Sequence, residues 1–306
     1  MRSRTRAFTL VELLTVVAII ALLIGILVPS LAAARRSAKV SSTKASIHVL
    51  DMGIEAFKVD TAMDGVYPPS SCTGFGPDRP NDPRKPPGTL IEVPGAALLT
   101  WAMIGADMLG PPVHHFNGAW PGRTGGGTVC ADNAMYAVFD GRPCAERRQA
   151  FVDSSKMRIT KIVPGTEGPN QQYEVPLGAR PRLNWASFLD PFDQPILYYC
   201  ANPGRMYVAS NCGGNYTTSN GVYELHDNAA FTGTGSGGMD LGNGPLHPLG
   251  VLGAVQNART FAGFIADRKI TATPTAQRPD SFLLISAGPD HLYGTADDVT
   301  NFQPNN

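Results

Sequence analysis

The residues in this chain whose types and spacing suit chemistry are few. The first is Glu12, the one ionisable residue in an apolar run that extends from Phe8 to Val28. A carboxylate in hydrocarbon costs roughly 2.5–3.5 kcal/mol on insertion scales, so an acid there points to a function beyond anchoring. The second group is Asp290, Asp297 and Asp298, in a tight glycine-containing loop from Ala287 to Val299. Three carboxylates so placed suit a hard cation such as Ca²⁺, which gathers oxygens from side chains and backbone carbonyls. The spacing is not that of an EF-hand, which needs acids at alternate positions and a closing glutamate. A loop of Asx-turns with solvated acids is the other reading of the same residues.

The five cysteines, Cys72, Cys130, Cys144, Cys200 and Cys212, show no CxxC or Cys/His ligand spacing, which argues against zinc. In an oxidising compartment two bridges and one spare thiol are open to them. Cys200 and Cys212, with eleven residues between them in a Gly/Asn-rich stretch, are the candidate pair. Scattered buried thiols are the competing reading. His114 and His115 are adjacent on a loop and read as solvated, and His226, Asp240 and His247 form no ligand spacing. No GxSxG, HExxH, P-loop or GxGxxG before a helix is present. Gly125-Gly126-Gly127 follows Arg123 but lacks the lysine and helix of a phosphate loop.

The elements that position these residues follow from composition and period. With 306 residues the chain holds one large or two modest domains. Its 25 basic and 25 acidic residues balance, and no basic clustering of the kind nucleic acid requires is evident. The 33 glycines and 26 prolines favour a loop-rich body with short strands over a helical bundle. Phe8 to Val28 spans about 31 Å as a helix, enough for a bilayer core. Pro29 lacks an N–H and should kink or loosen that helix. Beyond it Val40, Thr43, Ile47, Leu50, Ile54 and Phe57 recur every three or four residues, the stripe of an amphipathic helix. One helix from Phe8 to about Val59 is therefore expected, ended by Asp64-Gly65. Arg2, Arg4 and Arg6 would hold its start in the cytoplasm, whereas Arg35, Arg36, Lys39 and Lys44 oppose that bias, so charge alone leaves the orientation open.

Residues 65–95 read as a proline-rich loop and 96–109 as a second, shorter helix. Short strands are expected at 136–139, 158–163, 172–175, 207–209 and 222–225. Asn220-Gly221 and Asn243-Gly244 are candidate hairpin turns. Residues 257–270 fit either a helix or a strand pair. Asp190-Pro191-Phe192-Asp193-Gln194-Pro195 reads as a proline-set turn that leads into the aromatic strand Ile196–Tyr199. Ser281–Ser286 is a buried strand by composition.

The order Phe8-Thr9-Leu10-Val11-Glu12-Leu13-Leu14 resembles the processing site of type IV prepilins and type II secretion pseudopilins. The resemblance covers about the first 30 residues. In that family a prepilin peptidase cuts before the phenylalanine and methylates the new amine; the family's residue before the cut is glycine, and here it is Ala7. Two further stretches look like the major pseudopilin of type II secretion. One is the Asp-Pro turn before the aromatic strand. The other is the C-terminal loop, where that protein leads a strand ending in Ser-x-Gly through Asp-Gly-x-x-Gly to paired aspartates around calcium. Pro289 and His291 depart from that pattern.

The resemblance implies an α+β pilin-like fold, a long helix on a small antiparallel sheet. Its parts would be a leader at 1–7, a transmembrane half-helix at 8–29, an amphipathic half at 30–60 and a periplasmic domain at 61–306 with insertions at about 65–130 and 211–250. It implies an inner-membrane protein with a cytoplasmic N-terminus and no catalytic role. Glu12 would compensate the N-terminal amine of a neighbouring subunit, Pro29 would let the helix stretch during assembly, and Ca²⁺ would be held by Asp290, Asp297 and Asp298. The partners implied are the prepilin peptidase, other subunits, an inner-membrane assembly platform and membrane lipid. The alternatives are a minor pilin that binds a surface or secreted substrate, and an envelope enzyme anchored by a pilin-like helix.

Overall fold

The computed structural model of the chain describes residues 10–60, 65, 67–68, 70, 94–105, 108, 110–111, 138–139, 142–143, 149–162, 173–174, 186–201, 222–223, 225–232, 247–250, 261–267 and 275–304. The expected helix is present as α1 (Leu10–Val59), 50 residues that continue through Pro29. Proline removes the bond to the carbonyl four residues earlier, and at that position stands Gly25, which carries no Cβ to crowd the ring. Residues 10–39 of α1 are exposed throughout. Burial begins at Val40, half-covered, and Thr43, Ile47, Leu50, Gly53, Ile54 and Phe57 are buried. The second-half stripe read from the sequence is therefore the face that packs.

Helix α2 (Gly95–Ile104) is buried along its whole length, which explains its apolar composition on every side. It ends earlier than the sequence suggests because Gly105 takes a φ of 77° and its N–H returns to the Trp101 carbonyl. Although α2 lies within the span expected as an insertion, it is the wedge between the two cores of the body. Leu99, Ala102 and Met103 face the core shared with α1, while Ala96, Leu98 and Trp101 belong to the other.

Among the described residues nine short strands follow. The pairs β1 (Val138–Phe139) with β2 (Arg142–Pro143), β3 (Arg158–Ile159) with β6 (Phe188–Leu189), and β4 (Lys161–Ile162) with β5 (Tyr173–Glu174) are all antiparallel. The run expected as one strand at 158–163 is thus divided between two partners. At its middle Thr160 turns aside, its N–H donating to the Ser187 carbonyl at 3.0 Å while its hydroxyl accepts from the Ser187 N–H, also at 3.0 Å.

The central sheet is β7 (Leu197–Cys200), β8 (Phe282–Ser286) and β9 (Val299–Thr300), antiparallel in that order, with Leu197 opposite Ile285 and Cys200 opposite Phe282. Alternate residues of β7 and β8 point to opposite faces. Tyr198, Phe282 and Leu284 pack with α1 and half of α2; Leu197, Tyr199, Leu283 and Ile285 pack with the rest. Covered on both faces, β8 reads as continuously apolar, which is why composition alone located it.

Short helices α3 (Ala229–Thr232) and α4 (Phe261–Ile265) close the second core. The latter resolves the 257–270 ambiguity toward helix, followed by a single antiparallel bridge from Ala266 to Ala276. The strand expected at 222–225 is not formed: Val222 and Tyr223 lie in a bend and Leu225 opens a 3₁₀ turn. The buried side chain of Asn228 governs that turn, accepting from the Ala96 N–H at 2.9 Å and donating to the Tyr198 carbonyl at 2.7 Å, which caps α2 and ties it to β7. Residues 207–209, 220–221 and 243–244 lie outside the described residues.

Candidate functional sites at the two ends of the chain

The N-terminal site is a surface. Leu10, Leu13, Ile20, Leu23, Ile26 and Leu31 are between 46% and 78% exposed, an apolar cylinder that no part of the body covers. Mean hydropathy along it reaches 2.9, and it is the one helix among the described residues long and apolar enough to cross a membrane. Glu12 lies in the first turn of α1, exposed, with its carbonyl accepting the Thr15 hydroxyl at 3.0 Å. A helix N-terminus carries partial positive charge, so a carboxylate is well placed there. Ala7 and Phe8 lie outside the described residues.

The C-terminal site begins where β8 ends. Asp190, at the start of the proline-set turn, is fully buried; its Oδ1 accepts the N–H groups of Phe192 at 2.8 Å and Gln194 at 2.9 Å. Its Oδ2 accepts the hydroxyl of Ser286, the last residue of β8, at 2.6 Å. Burial pushes this carboxyl above the usual carboxylate range, and the three donors pull against it. A remote acid thus fixes the point from which the C-terminal loop departs.

Within the loop, Gly288 has a φ of 63°, and a Cβ there would lie 2.3 Å from the Asp297 carbonyl oxygen, so the two limbs of the loop touch backbone to backbone. His291 has the same φ of 63°, in the left-handed region that favours glycine, which fits the glycine preference of the pattern it departs from. The three aspartates close the loop through hydrogen bonds. Asp290 accepts from the Leu292 N–H at 2.8 Å, Asp297 from the Asp290 N–H at 3.1 Å, and Asp298 from the Gly294 N–H at 2.7 Å. The Thr295 hydroxyl lies 2.6 Å from Asp297 Oδ1 and 3.3 Å from Asp298 Oδ1.

Burial raises Asp298 to about 8, against the pull of hydrogen bonds from Gly294 and Thr295. Burial also raises Asp290, and the adjacent Asp297 adds to the effect. Carboxylates are the ligands a hard cation takes, and here the N–H groups of Asp290, Leu292 and Gly294 already face them. Among the described residues no three His, Cys, Asp or Glu side chains converge on one point, so any ion here would rely on backbone carbonyls as well.

Two links that the sequence did not announce join this end of the chain to α1. Arg36 Nη2 stands 3.7 Å from Asp297 Oδ2, and Lys39 Nζ sits 5.2 Å from the centre of the Phe192 ring. No periodic signal marks either. Of the other candidate residues, two have side chains among the described ones. Cys200 is half-buried at the end of β7, with its thiol 3.6 Å from the Ala201 carbonyl, and Cys212, His114, His115 and Asp240 lie outside the described residues. His247 is buried, its Nδ1 accepting the Tyr293 N–H at 3.3 Å, a structural role.

Comparison with known families places one match on the chain: residues 2–28 fit the prokaryotic N-terminal methylation motif. No curated protein and no solved structure matches the chain.

Proposed function

We propose that this chain, which carries the N-terminal methylation motif of type IV prepilins and pseudopilins, is a structural subunit of a type II secretion pseudopilus or a type IV pilus-like filament. The motif supports processing by a prepilin peptidase and assembly with other pilin-type subunits. The observation that carries the reading further is the division of α1. Residues 10–28 of the motif lie on a helix whose exposed first half is covered by no part of the body, while its second half is built into an α+β body. A helix that is apolar all round and uncovered needs either lipid or other helices about it, and a subunit that moves from membrane to filament exchanges one for the other.

In this reading the peptidase removes residues 1–7 and methylates Phe8. The helix anchors the chain once in the inner membrane, with its start in the cytoplasm and its body in the periplasm, until an inner-membrane assembly platform adds it to the filament. Glu12 compensates the amine of an adjacent subunit, which makes an acid tolerable at that depth. Ca²⁺, taking its ligands from among Asp290, Asp297 and Asp298 together with loop carbonyls, would steady the C-terminal loop by neutralising acids there. The body performs no catalysis.

Intact-mass and N-terminal peptide analysis of the chain extracted from its native membrane tests the reading. A mature chain starting at N-methylated Phe8 is expected; a chain that keeps Met1 to Ala7 would overturn it. The charge-pairing role has its own test. Glu12→Ala should abolish incorporation into filaments while membrane insertion is unchanged, and normal assembly of that variant would refute the role.

A further inference from the structure

Between Glu12 and Asp51, α1 carries no acidic residue and four basic ones, Arg35, Arg36, Lys39 and Lys44. All four are exposed. Basic residues on the translocated side of a membrane span run against the usual bias. Removal of residues 1–7 sharpens the anomaly, because Arg2, Arg4 and Arg6 leave with them and the basic side chains flanking the span are then all on the side of the body.

Position along the helix supplies a reason. Arg35 and Arg36 follow Pro29 by six and seven residues, about 9–11 Å at 1.5 Å per residue. The polar layer on each side of a bilayer core is roughly 5–7 Å deep. Side chains on a helix lean toward its N-terminus, here toward the membrane, and long basic side chains extend further along that direction. Their charged ends therefore fall at the depth of the lipid phosphates.

The body begins at the same level. Thr43, the first fully covered residue of α1, lies four residues beyond Lys39 and seven beyond Arg36, on one helical face with them. Arg36 and Lys39 meet the underside of the body through Asp297 and Phe192. Arg36 nevertheless remains 61% exposed, since one contact at 3.7 Å leaves most of its donors open. A guanidinium so placed has an acid above it and the headgroup layer below.

We propose that Arg35, Arg36 and Lys39 form a basic collar that binds the phosphates of anionic phospholipids in the leaflet beneath the body. The collar screens the acidic C-terminal loop from that leaflet and sets the height at which the body stands. The proposal rests on the membrane-anchored reading of α1 and adds to it a lipid class.

The full chain, reconstituted in nanodiscs of phosphatidylcholine with a minority of phosphatidylglycerol, tests it by native mass spectrometry of the lipids retained on the protein. The wild type should retain phosphatidylglycerol well above its bulk fraction. Each charge removed in Arg35→Gln, Arg36→Gln and Lys39→Gln should lower that preference by up to about fivefold, and the charge-keeping set Arg35→Lys, Arg36→Lys and Lys39→Arg should restore it. Lys156→Gln, an exposed lysine of the body outside the collar, should change nothing. Equal retention by the wild type and the triple glutamine variant, with unchanged melting of the body, would overturn the collar while leaving the anchor intact. Loss of the preference in excess inorganic phosphate would assign the site to a free anion instead. Release of the chain from membranes by alkaline carbonate would remove the anchored reading and the collar together.

Discussion

The two halves of α1 share one backbone conformation and differ in what surrounds them. From Leu10 to Lys39 every side chain is exposed; from Val40 onward every third or fourth is covered, and Leu50, Ile54 and Phe57 are wholly buried. Residues 10–28 have no polar face and the second half has one. That difference decides where each finds its partner. The second half satisfies its stripe within the chain, against α2, β8 and β9. From residue 10 to 28 the helix is apolar round its perimeter apart from Glu12 and Thr15, so its partner must come from outside, as lipid or as the helices of other copies.

The largest effect that separates the halves should come from truncating buried bulk. Phe57 is fully covered and stands edge-on to Phe151 with ring centres 5.3 Å apart. Phe57→Ala should destabilise the body by about 3–5 kcal/mol. Leu23, 60% exposed, is its counterpart. Leu23→Ala should leave the melting of the body unchanged when the full chain is held in detergent and followed by tryptophan fluorescence. A comparable fall in both variants would mean that the halves are not independent.

The comparison extends to carboxylates. Asp190 is buried but answered within the chain by two backbone N–H groups and the Ser286 hydroxyl. Asp190→Ala would leave those donors without an acceptor and should cost roughly 2–4 kcal/mol. Asp190→Asn keeps an oxygen for both N–H groups and removes the charge. Because burial raises the folded pKa above the unfolded one, the folded protein holds its proton longer. This group's contribution is therefore full below the ordinary carboxylate range and is lost as pH rises through the raised value. The asparagine variant should flatten that part of the stability–pH curve and match or exceed the wild type near neutrality. A slope that persists unchanged in Asp190→Asn would assign it to another group, with Asp298 next in line. Glu12 should behave oppositely, since its substitution affects assembly and leaves the body's melting alone.

What the sequence made legible follows the same division. The stripe from Val40 to Phe57 and the apolar run of β8 are local patterns, and each corresponds to an observed element. The turn at Asp190-Pro191 is local too, but the bond from Asp190 to Ser286 crosses 96 residues and has no period to betray it. The same holds for Arg36 with Asp297 and for Asn228 with the start of α2. Residues 222–225 show the converse failure. Val222 and Tyr223 have strand propensity, yet they serve as apolar filler for the second core, where tertiary packing overrides local preference. At the C-terminal loop the sequence identified the acids and their closeness, and the Asx-turn reading matches the way each braces the loop's own N–H groups.

The smallest effect gives the sharpest contrast, because it uses one substitution in both halves. At Gly53 an added Cβ would lie 2.5 Å from a Val152 methyl and 3.2 Å from the Met103 sulfur; at Gly25 nothing lies within 4 Å. Both obstacles at Gly53 are ends of side chains, so they can shift, at a cost of about 1–3 kcal/mol for overpacking. Replacing a mid-helix glycine returns up to about 1 kcal/mol of helix propensity. Gly53→Ala should therefore lower the melting point of the body by a net effect of about 1–2 kcal/mol. Gly25→Ala should leave the detergent-held subunit as it is, because the body never meets that position. In the assembled state the order should reverse: if another subunit's helix approaches at Gly25, the added methyl reports it as slower or less complete filament growth. Full assembly of Gly25→Ala together with intact melting would place the helix contacts elsewhere on α1 and confine close packing to the half that carries the body.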